Sequence, residues 1–365
     1  MRTTSSSPSA ATAIALIEAL QARFVARLEQ IGETPMRDIE WLRSEGRNGG
    51  GVRFEGTSPA FNNASVNMSH VHYDDDATRP LRSATALSAI VHPAQPKAPS
   101  VHIHISWSEV RVPADQGGGE RGSWRIMADL NPSLPNDEHR DRFRAAIEKV
   151  LVEGAGEAVA AHAFAQGDRY FEIPALQRHR GVVHTYLEGY RTDDVEADKK
   201  LAQAVGEVAI DTYCDILAET LAGIAAVDAE RKLKKKPVKV DEFELLVQRG
   251  YHTVYLFQVL TLDRGTTSGL LVHDENDLGI LGSLPAQIDR DLLLSWVPKV
   301  PPIMQPLVQE IAGAMRAGVV DTSARLRLAK VVRTFFKANP QALDLQARGD
   351  VVPPTVHNHA ARTDS

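Results

Sequence analysis

Apolar residues near the N-terminus recur every three or four positions along the chain. This spacing is typical of a helix with one apolar face, and it predicts a helix over Ala10–Ile31. The apolar positions are Ile14, Ile17, Leu20, Phe24 and Leu28. The residues before this helix are mostly Ser and Thr, so we expect residues 1–9 to form a disordered lead.

Six later segments are short, partly β-branched and bounded by Pro, Gly or Asp, which is the pattern of β-strands. The predicted strands are Ser65–Tyr73, Ala86–His92, Val101–Val110, Ser123–Leu130, Tyr251–Leu262 and Gly279–Leu284. Helical patterns occupy much of the remaining chain. The predicted helices are Asp137–Ala165, Val195–Arg231, Pro306–Arg316 and Thr322–Lys337. Because strands do not alternate regularly with helices, the order favours an antiparallel sheet with packed helices over a doubly wound parallel sheet.

The domain organisation follows from the same pattern. Residues 10–345 are predicted to form a single domain. Residues 346–365 are predicted to form a flexible tail, because the chain is polar and Pro-containing from Asp350 onward. Two histidines in this tail, His357 and His359, are assigned no function.

The composition excludes several classes of protein. Of the 365 residues, 43% are hydrophobic and 24% are charged, as in ordinary globular proteins. The net charge of −6 disfavours a dedicated nucleic-acid binder, which is usually basic. We expect no membrane span, because no apolar run is long enough to cross a bilayer, and no secretory signal, because Glu18 and Arg23 interrupt the apolar N-terminal stretch. The single cysteine, Cys214, cannot form an intramolecular disulfide, which fits a reducing, cytoplasmic location.

The segment Val101–Trp107, with the sequence VHIHISW, carries the candidate chemistry. Side chains alternate between the two faces of a strand. His102, His104 and Ser106 therefore share one face, and the apolar residues share the other. A polar row on a rigid strand can hold a functional site in a fixed geometry.

Three more histidines lie upstream of this segment. His70 and His72 repeat the i, i+2 spacing, and His92 ends a predicted strand. Five of the 13 histidines therefore fall within one short span and suggest a functional cluster. Histidine serves both proton transfer near neutral pH and metal ligation, and the spacing alone does not decide between them.

Gly49–Gly51 forms a run of three glycines within a segment, Arg47–Gly51, that we expect to be a loop. Such a run indicates close backbone approach or mobility. It lacks the Lys and Ser/Thr that follow the glycines of a phosphate-binding P-loop. The sequence therefore offers no nucleotide-phosphate site here.

Seven segments between Asn48 and Pro285 follow one another in a specific order. They are GGG at Gly49–Gly51, AFNNASVNMSHVHY at Ala60–Tyr73, LSAIVHPAQPKAPSVHIHIS at Leu87–Ser106, ADLNP at Ala128–Pro132, GDRYFEIPALQRHRG at Gly167–Gly181, LDRGTTSGL at Leu262–Leu270 and ILGSLP at Ile280–Pro285. In this order they resemble the motifs of the oxygen-dependent coproporphyrinogen III oxidases of haem biosynthesis. The third segment, for example, is similar to the family pattern S-x-x-x-H-P-x-N-P-x-x-P-T-x-H-x-N-x-R.

The resemblance implies an α+β fold, with a large, flat antiparallel β-sheet flanked by α-helices on both faces, and a homodimer. It implies oxidative decarboxylation of two propionates of coproporphyrinogen III to vinyl groups, which gives protoporphyrinogen IX. The co-substrate would be O2, with no organic cofactor and a possible divalent metal cation. The partner would be a small-molecule tetrapyrrole.

The resemblance also implies roles for individual residues. His102 and Asp129 would be catalytic, His102 as a proton donor and Asp129 as an acid placed against the macrocycle. The residues at substrate-binding positions would be Ser88, His104, Ser106 and Arg264. We add Arg125 as a candidate substrate-binding residue on our own hypothesis, since the family has no arginine there. The metal positions would be His92, His102 and His139. Arg264 has a second interpretation, since the sequence D-R-G-T is typical of a turn.

The site positions depart from the family pattern in ways that affect carboxylate binding. Ser106 stands where the family has an arginine, and guanidinium groups suit carboxylates in a way that hydroxyl groups do not. The segment His273–Asn276 is acidic where the family is basic. Arg125 shares a strand face with Asp129, so two hypotheses remain open: Arg125 is a relocated carboxylate clamp, or it pairs with Asp129 and neutralises it.

Three functions remain open from the sequence. The first is a divergent coproporphyrinogen oxidase, which is the function we favour. The second is a related enzyme that acts on another tetrapyrrole-like substrate. The third is a non-catalytic protein that binds a tetrapyrrole or a metal and retains its histidines as ligands.

Overall fold

The computed structural model describes residues 1–234, 240–346 and 353–360. Its centre is a sheet of seven antiparallel strands. The strands of the chain are β1 (Arg37–Leu42), β2 (Gly49–Gly56), β3 (Phe61–His72), β4 (Leu81–Pro93), β5 (Ser100–Arg111), β6 (Glu120–Asn131), β7 (Glu172–Ile173), β8 (Arg178–His179) and β9 (Val183–Tyr190). The sheet has the order β1-β2-β3-β4-β5-β6-β9, and β7 pairs with β8 in a separate hairpin.

Helices cover both faces of this sheet. They are α1 (Pro8–Gly32), α2 (Asp137–Ala155), α3 (Glu157–Phe171), α4 (Val195–Leu233), α5 (Glu242–Thr261), α6 (Arg264–Val272), α7 (Asp277–Leu281), α8 (Arg290–Ser295), α9 (Gln305–Gly313), α10 (Thr322–Ala338) and α11 (Thr355–His359). Helices α1 and α4 pack on one face, which we call the apolar face. Helices α5 to α10 build a second core beyond the other face, which we call the cavity face. The predicted α+β fold is confirmed.

Strand alternation explains why the two faces differ. Leu87, Ile103 and Ile126 lie on the apolar face and are completely buried against α1 and α4. Each such burial contributes roughly 1.5–3 kcal/mol. Among the described residues, α1 alone has the length and apolar composition of a membrane-crossing helix. Its residues Ile17 and Phe24 are completely buried in the same core, so α1 packs here as a core helix.

The first seven residues differ from the disordered lead that the sequence predicts. The Thr3 hydroxyl donates to the Gly46 carbonyl at 2.8 Å, and the Ser5 backbone N–H donates to His70 Nε2 at 3.1 Å. The Ser7 hydroxyl donates to the Glu109 carboxylate at 2.9 Å. Hydroxyl and amide groups of the lead therefore satisfy polar groups at the edge of the apolar face.

The four strands predicted between Ser65 and Leu130 are confirmed, as are the helices predicted from Asp137 onward. The predicted strands Tyr251–Leu262 and Gly279–Leu284 are wrong, because these segments form parts of α5 and α7. Residues 251–261 are buried on every side of the helix. A helix that is buried on all sides shows no alternation of apolar and polar residues with a period of 3.6. A short apolar segment of such a helix therefore resembles a buried strand in the sequence.

The glycine run lies inside a strand, not in the loop that the sequence predicts. A Cβ atom at Gly51 would lie 2.0 Å from the Met68 carbonyl oxygen and 2.7 Å from Trp41 Nε1. The run therefore serves close backbone approach between β2 and its neighbours, which was one of the two interpretations. Most of the predicted C-terminal tail lies outside the described residues. Within the described part of the tail, α11 packs against α6.

Candidate active site

Sheet register places the polar residues of the central strands in rows across the cavity face. Directly opposed residues of antiparallel strands point to the same side. One row runs Asn67, Ser88, His104, Met127, Tyr186. The rows beside it run Ser69, Ala86, Ser106, Arg125 and Ser65, Ile90, His102, Asp129, His184.

A cavity of about 380 Å³ lies between these rows and helices α5, α6, α7 and α11. This volume falls within the usual range of small-molecule sites. The lining residues Trp41, Asn67, Arg180 and Tyr255 each have a buried polar atom without a hydrogen-bond partner among the described residues. Such atoms are rare in protein interiors unless a ligand or a water molecule satisfies them. The cavity is therefore the candidate site.

A buried cluster of charges closes one wall of the cavity. The Arg180 guanidinium donates to both carboxylate oxygens of Asp129, at 3.0 and 2.9 Å, and to Gln258 Oε1 at 2.7 Å. It also stacks between the rings of Phe171 and Tyr255, at 4.3 and 4.7 Å from their centroids. These contacts hold a fully buried cation and anion together.

The Asp129 carboxylate is completely buried and does not line the cavity. Burial alone would raise its pKa, but Arg180 and then His102 outweigh that effect and lower the pKa to about 2. The Asn131 amide donates to the same carboxylate at 2.5 Å. Asp129 is therefore an anion at any physiological pH, and its hydrogen-bonding capacity is filled by the protein itself.

His102 connects this cluster to the cavity. Its Nδ1 lies 2.9 Å from Asp129 Oδ1, and its ring lines the cavity. Arg180 Nη2 also lies 3.0 Å from this nitrogen, but it already donates to both oxygens of Asp129. Because a carboxylate only accepts, we assign the proton to Nδ1, which donates it to Asp129. That tautomer leaves Nε2 as the free nitrogen of an oriented imidazole, the arrangement used for proton transfer.

The candidate substrate-binding residues are largely brought together. Ser88, His104, Ser106 and Arg125 all line the cavity. His104 Nε2 lies 3.2 Å from the Ser106 hydroxyl. Burial, followed by the charge of Arg125 and the nearby His102, lowers the pKa of His104 well below its usual value. His104 is therefore neutral at physiological pH.

Arg125 follows neither of the two hypotheses derived from the sequence. Its Nε donates to Glu188 Oε2 at 2.6 Å, and its Nη2 donates to Glu188 Oε1 at 3.1 Å. The Tyr186 hydroxyl donates to the same carboxylate. Arg125 is thus neither an open clamp nor the partner of Asp129, whose cation is Arg180.

The structure does not bring the three implied metal positions together. His92 donates from Nε2 to the Ser283 carbonyl and accepts at Nδ1 from the Ser100 hydroxyl, so neither nitrogen offers a lone pair. His139 lies on α2, where its Nε2 is 3.4 Å from the Thr220 hydroxyl of α4. No group of three His, Cys, Asp or Glu residues suited to a metal occurs in the described part of the chain. The donor set does not fit a divalent cation.

The expected cluster of five histidines is divided between the faces of the sheet. His70 and His72 lie on the apolar face, and His70 belongs to the same row as Thr85 and Trp107. His70 accepts from the Ser5 backbone, and its Nδ1 is 2.8 Å from the Thr85 hydroxyl. These two histidines do not line the cavity.

The acidic segment and Arg264 also differ from the sequence interpretation. His273 and Asn276 line the cavity, whereas the acidic residues between them are exposed. The D-R-G-T sequence starts α6 and is not a turn: Asp263 caps the helix by accepting from the Thr266 backbone N–H at 2.7 Å. Arg264 is the first residue of that helix, and it does not line the cavity, although its neighbours do.

Sequence reasoning missed three kinds of residue in this site. Arg180 closes the fifth motif segment, where the family pattern has R-G, and that match was the available signal. Glu188 and Tyr186 lie in β9, a strand that the sequence analysis did not predict. Asn358 and His359 belong to the segment predicted as flexible tail, yet both line the cavity.

One comparison with known proteins bears on this geometry. The family model of coproporphyrinogen III oxidase matches residues 12–294. The match extends from α1 into α8 and includes every strand of the sheet. It therefore covers most of the chain and most of the cavity wall.

Proposed function

The chain belongs to the coproporphyrinogen III oxidase family, and from this premise we propose that it is an oxygen-dependent oxidoreductase that converts coproporphyrinogen III to protoporphyrinogen IX. The family places the chain among the oxidases of porphyrin biosynthesis. The observation that carries the proposal is the position of His102, which lines the cavity while a buried carboxylate fixes its ring.

The proposed reaction acts on one propionate side chain at a time. The carboxylate leaves as CO2, the adjacent β-carbon loses the equivalent of a hydride, and the side chain becomes a vinyl group. O2 accepts the two electrons and, with one proton from solvent in addition to the transferred hydrogen, becomes H2O2. The proposal includes no organic cofactor, and because the histidine set does not fit a metal, no step is assigned to one.

His102 is the proposed catalytic residue. Its free Nε2 can take a proton from a pyrrole N–H, and the Asp129 carboxylate stabilises the imidazolium that results. The same nitrogen, once protonated, is the proton donor expected from the resemblance. Loss of the pyrrole proton makes the ring richer in electrons and so favours departure of a hydride from the side chain.

The proposed role of Asp129 changes from the one expected. Its carboxylate is buried behind His102 and is saturated by Arg180, His102 and Asn131. We therefore assign it as a positioning residue for His102 and not as a group placed against the macrocycle. A homodimeric state and a cytoplasmic location remain parts of the proposal.

The experiment that tests the proposal is an aerobic assay with coproporphyrinogen III as substrate. Products are oxidised to porphyrins, separated and quantified by fluorescence. We expect accumulation of protoporphyrin in air and none under argon. Absence of turnover in air, by protein that is folded by circular dichroism, would contradict the proposed reaction.

A second candidate is a paralogue that acts on another tetrapyrrole-like substrate or binds a tetrapyrrole without converting it. The observation that favours it is the pairing of both cavity arginines with carboxylates of the protein, Arg125 with Glu188 and Arg180 with Asp129. Porphyrin binding without conversion of coproporphyrinogen III would select this candidate.

A further inference from the structure

One buried arginine beside the cavity has no carboxylate partner among the described residues. Arg43 is 8% exposed, and its guanidinium donates to neutral acceptors. These acceptors are His273 Nδ1, the Tyr73 hydroxyl at 2.9 Å and the Val272 carbonyl at 3.4 Å. The Arg43 Nε is buried without a partner in the described part of the chain. A buried cation without a counter-ion is costly, so this position suits an anion that a ligand brings.

The hydrogen bonds of Arg43 fix the tautomers of two histidines. A guanidinium only donates, so His273 Nδ1 accepts from Arg43, and we assign the ring proton to Nε2. The Tyr73 hydroxyl accepts from Arg43 and has one other partner among the described residues, His359 Nδ1 at 2.7 Å. Tyr73 therefore donates to His359, and we assign the His359 proton to Nε2 as well.

Both histidines are neutral at physiological pH. Burial, followed by the charge of Arg43, lowers the pKa of His273 to about 3. Burial, followed by the charges of His273, Arg43 and Arg79, lowers the pKa of His359 well below its usual value. Arg79 itself pairs with Asp76 at 2.9 Å. Each ring therefore presents one N–H group and no charge of its own, and Arg43 is the cation of this cluster that lacks a counter-ion.

The two Nε2–H groups belong to rings that line the cavity. Neither the Nε2 of His273 nor that of His359 has a hydrogen-bond partner within the described ranges. The ring centroids are 4.8 Å apart, and the rings meet edge to face. A carboxylate only accepts and has two oxygens, so two neighbouring N–H donors with a cation behind them match its bonding needs.

The carboxylates of the described chain do not fill this role. Those that line the cavity are Glu188 and Asp263, and each accepts hydrogen bonds from other residues of the wall. Asp274 and Glu275, which follow His273 in the sequence, are exposed and do not line the cavity. The two N–H groups are therefore left for a ligand.

We propose that His273 and His359 form a carboxylate-binding subsite at this end of the cavity, with Arg43 as the buried counter-charge. Their Nε2–H groups donate to one propionate of the tetrapyrrole, so the inference rests on the proposed function. The subsite supplies a carboxylate contact in a chain that has Ser106 where the family has an arginine. His359 lies outside residues 12–294, so the family match does not include this donor.

The test measures dissociation constants of two probes by porphyrin fluorescence: coproporphyrin III, with a carboxylate on every ring, and its uncharged tetra-amide. His359→Phe keeps an aromatic ring and removes the N–H group. We expect it to weaken the binding of coproporphyrin about tenfold, the change expected from one charge-assisted hydrogen bond, and the binding of the tetra-amide less than about threefold. His273→Phe should act in the same direction.

Two control variants separate hydrogen bonding from packing. His359→Gln retains an N–H donor of similar reach and should stay within about threefold of the wild type for both probes. His357→Phe changes an exposed residue of the same helix and should leave both constants as in the wild type. Equal losses for the two probes in His359→Phe, or an unchanged constant for coproporphyrin, would overturn the inference. Where one of the two Phe variants does not fold, the other decides.

Failure of the inference and failure of the proposed function give different results. Full affinity of His359→Phe for coproporphyrin contradicts the subsite alone and leaves the proposed reaction in place. Absence of binding of both probes to the wild type contradicts the proposed tetrapyrrole site and the subsite together.

Discussion

Two histidine pairs with the same i, i+2 spacing lie on two strands of one sheet, His70 and His72 on β3 and His102 and His104 on β5. The sequence presents them as equivalent. The structure places the first pair on the apolar face beneath the N-terminal residues and the second pair on the cavity face. The register between the strands, and not the motif, decides which face each pair occupies.

The partners of the two pairs differ as much as their positions. His70 has a backbone N–H on one nitrogen and the Thr85 hydroxyl near the other, so both nitrogens are used by the protein. His102 has a buried carboxylate on one nitrogen and the cavity beside the other. A histidine that is fixed on one side and free on the other can transfer a proton, whereas one bonded on both sides holds the structure together.

The largest effect is expected at Arg180, whose charge keeps the Asp129 carboxylate stable in the interior. Arg180→Met leaves that carboxylate buried without its cation, and we expect a loss of about 3–5 kcal/mol in the free energy of unfolding. Urea denaturation measures it. The double variant Arg180→Met/Asp129→Asn leaves no buried charge and should recover part of the loss. If the free energy of unfolding of Arg180→Met lies within about 1 kcal/mol of the wild-type value, this charge cluster does not stabilise the fold as described.

A smaller effect is expected from pH, and it belongs to the other histidine pair. Burial, followed by the charges of His72 and Arg2, lowers the pKa of His70 to about 4, against about 6.5 in the unfolded chain. The unfolded state therefore binds more protons between these values. The stability is complete above pH 6.5 and is lost as the pH falls towards 4, by about 3 kcal/mol for this group.

Urea unfolding at pH 7 and pH 4.5 measures this loss. His70→Gln removes this group and should reduce the loss of stability by its share, about 3 kcal/mol, whereas His357→Gln, at an exposed position, should leave the loss as in the wild type. Equal slopes for wild type and His70→Gln would show that His70 is not buried as described.

The smallest effect on stability is expected from His70→Ala at neutral pH. The Ser5 N–H and the Thr85 hydroxyl lose their partner, and we expect a loss of about 1–3 kcal/mol. Substrate turnover should stay within about twofold, since the side chain is on the face opposite the cavity. If His70→Ala lost activity but no stability, His70 would act in catalysis, and the contrast between a structural pair on β3 and a functional pair on β5 would be wrong.

The sequence predicts what depends on local pattern. Alternation along β3 to β6 predicts the strands and the polar face of β5, and the order of motifs identifies the family. It does not predict α5, because residues 251–261 are buried on all sides and lack a helical period.

The partners within the site could not be predicted for a different reason. Arg180 reaches Asp129 from the short connection between β8 and β9, and Glu188 reaches Arg125 across a register shift between β6 and β9. Both contacts depend on strand pairing at the edge of the sheet. No spacing within a single strand encodes them, so neither of the two hypotheses for Arg125 included Glu188.

The most direct test of the account is the rate of coproporphyrinogen III conversion in air by two matched variants, His102→Gln and His70→Gln. The account predicts a fall in kcat of about 10²- to 10⁴-fold for His102→Gln, the usual contribution of a general acid–base group, in protein that remains folded by circular dichroism. It predicts a change within about twofold for His70→Gln. Equal rates for the two variants, or a larger loss for His70→Gln, would contradict the assignment of His102 as the catalytic residue.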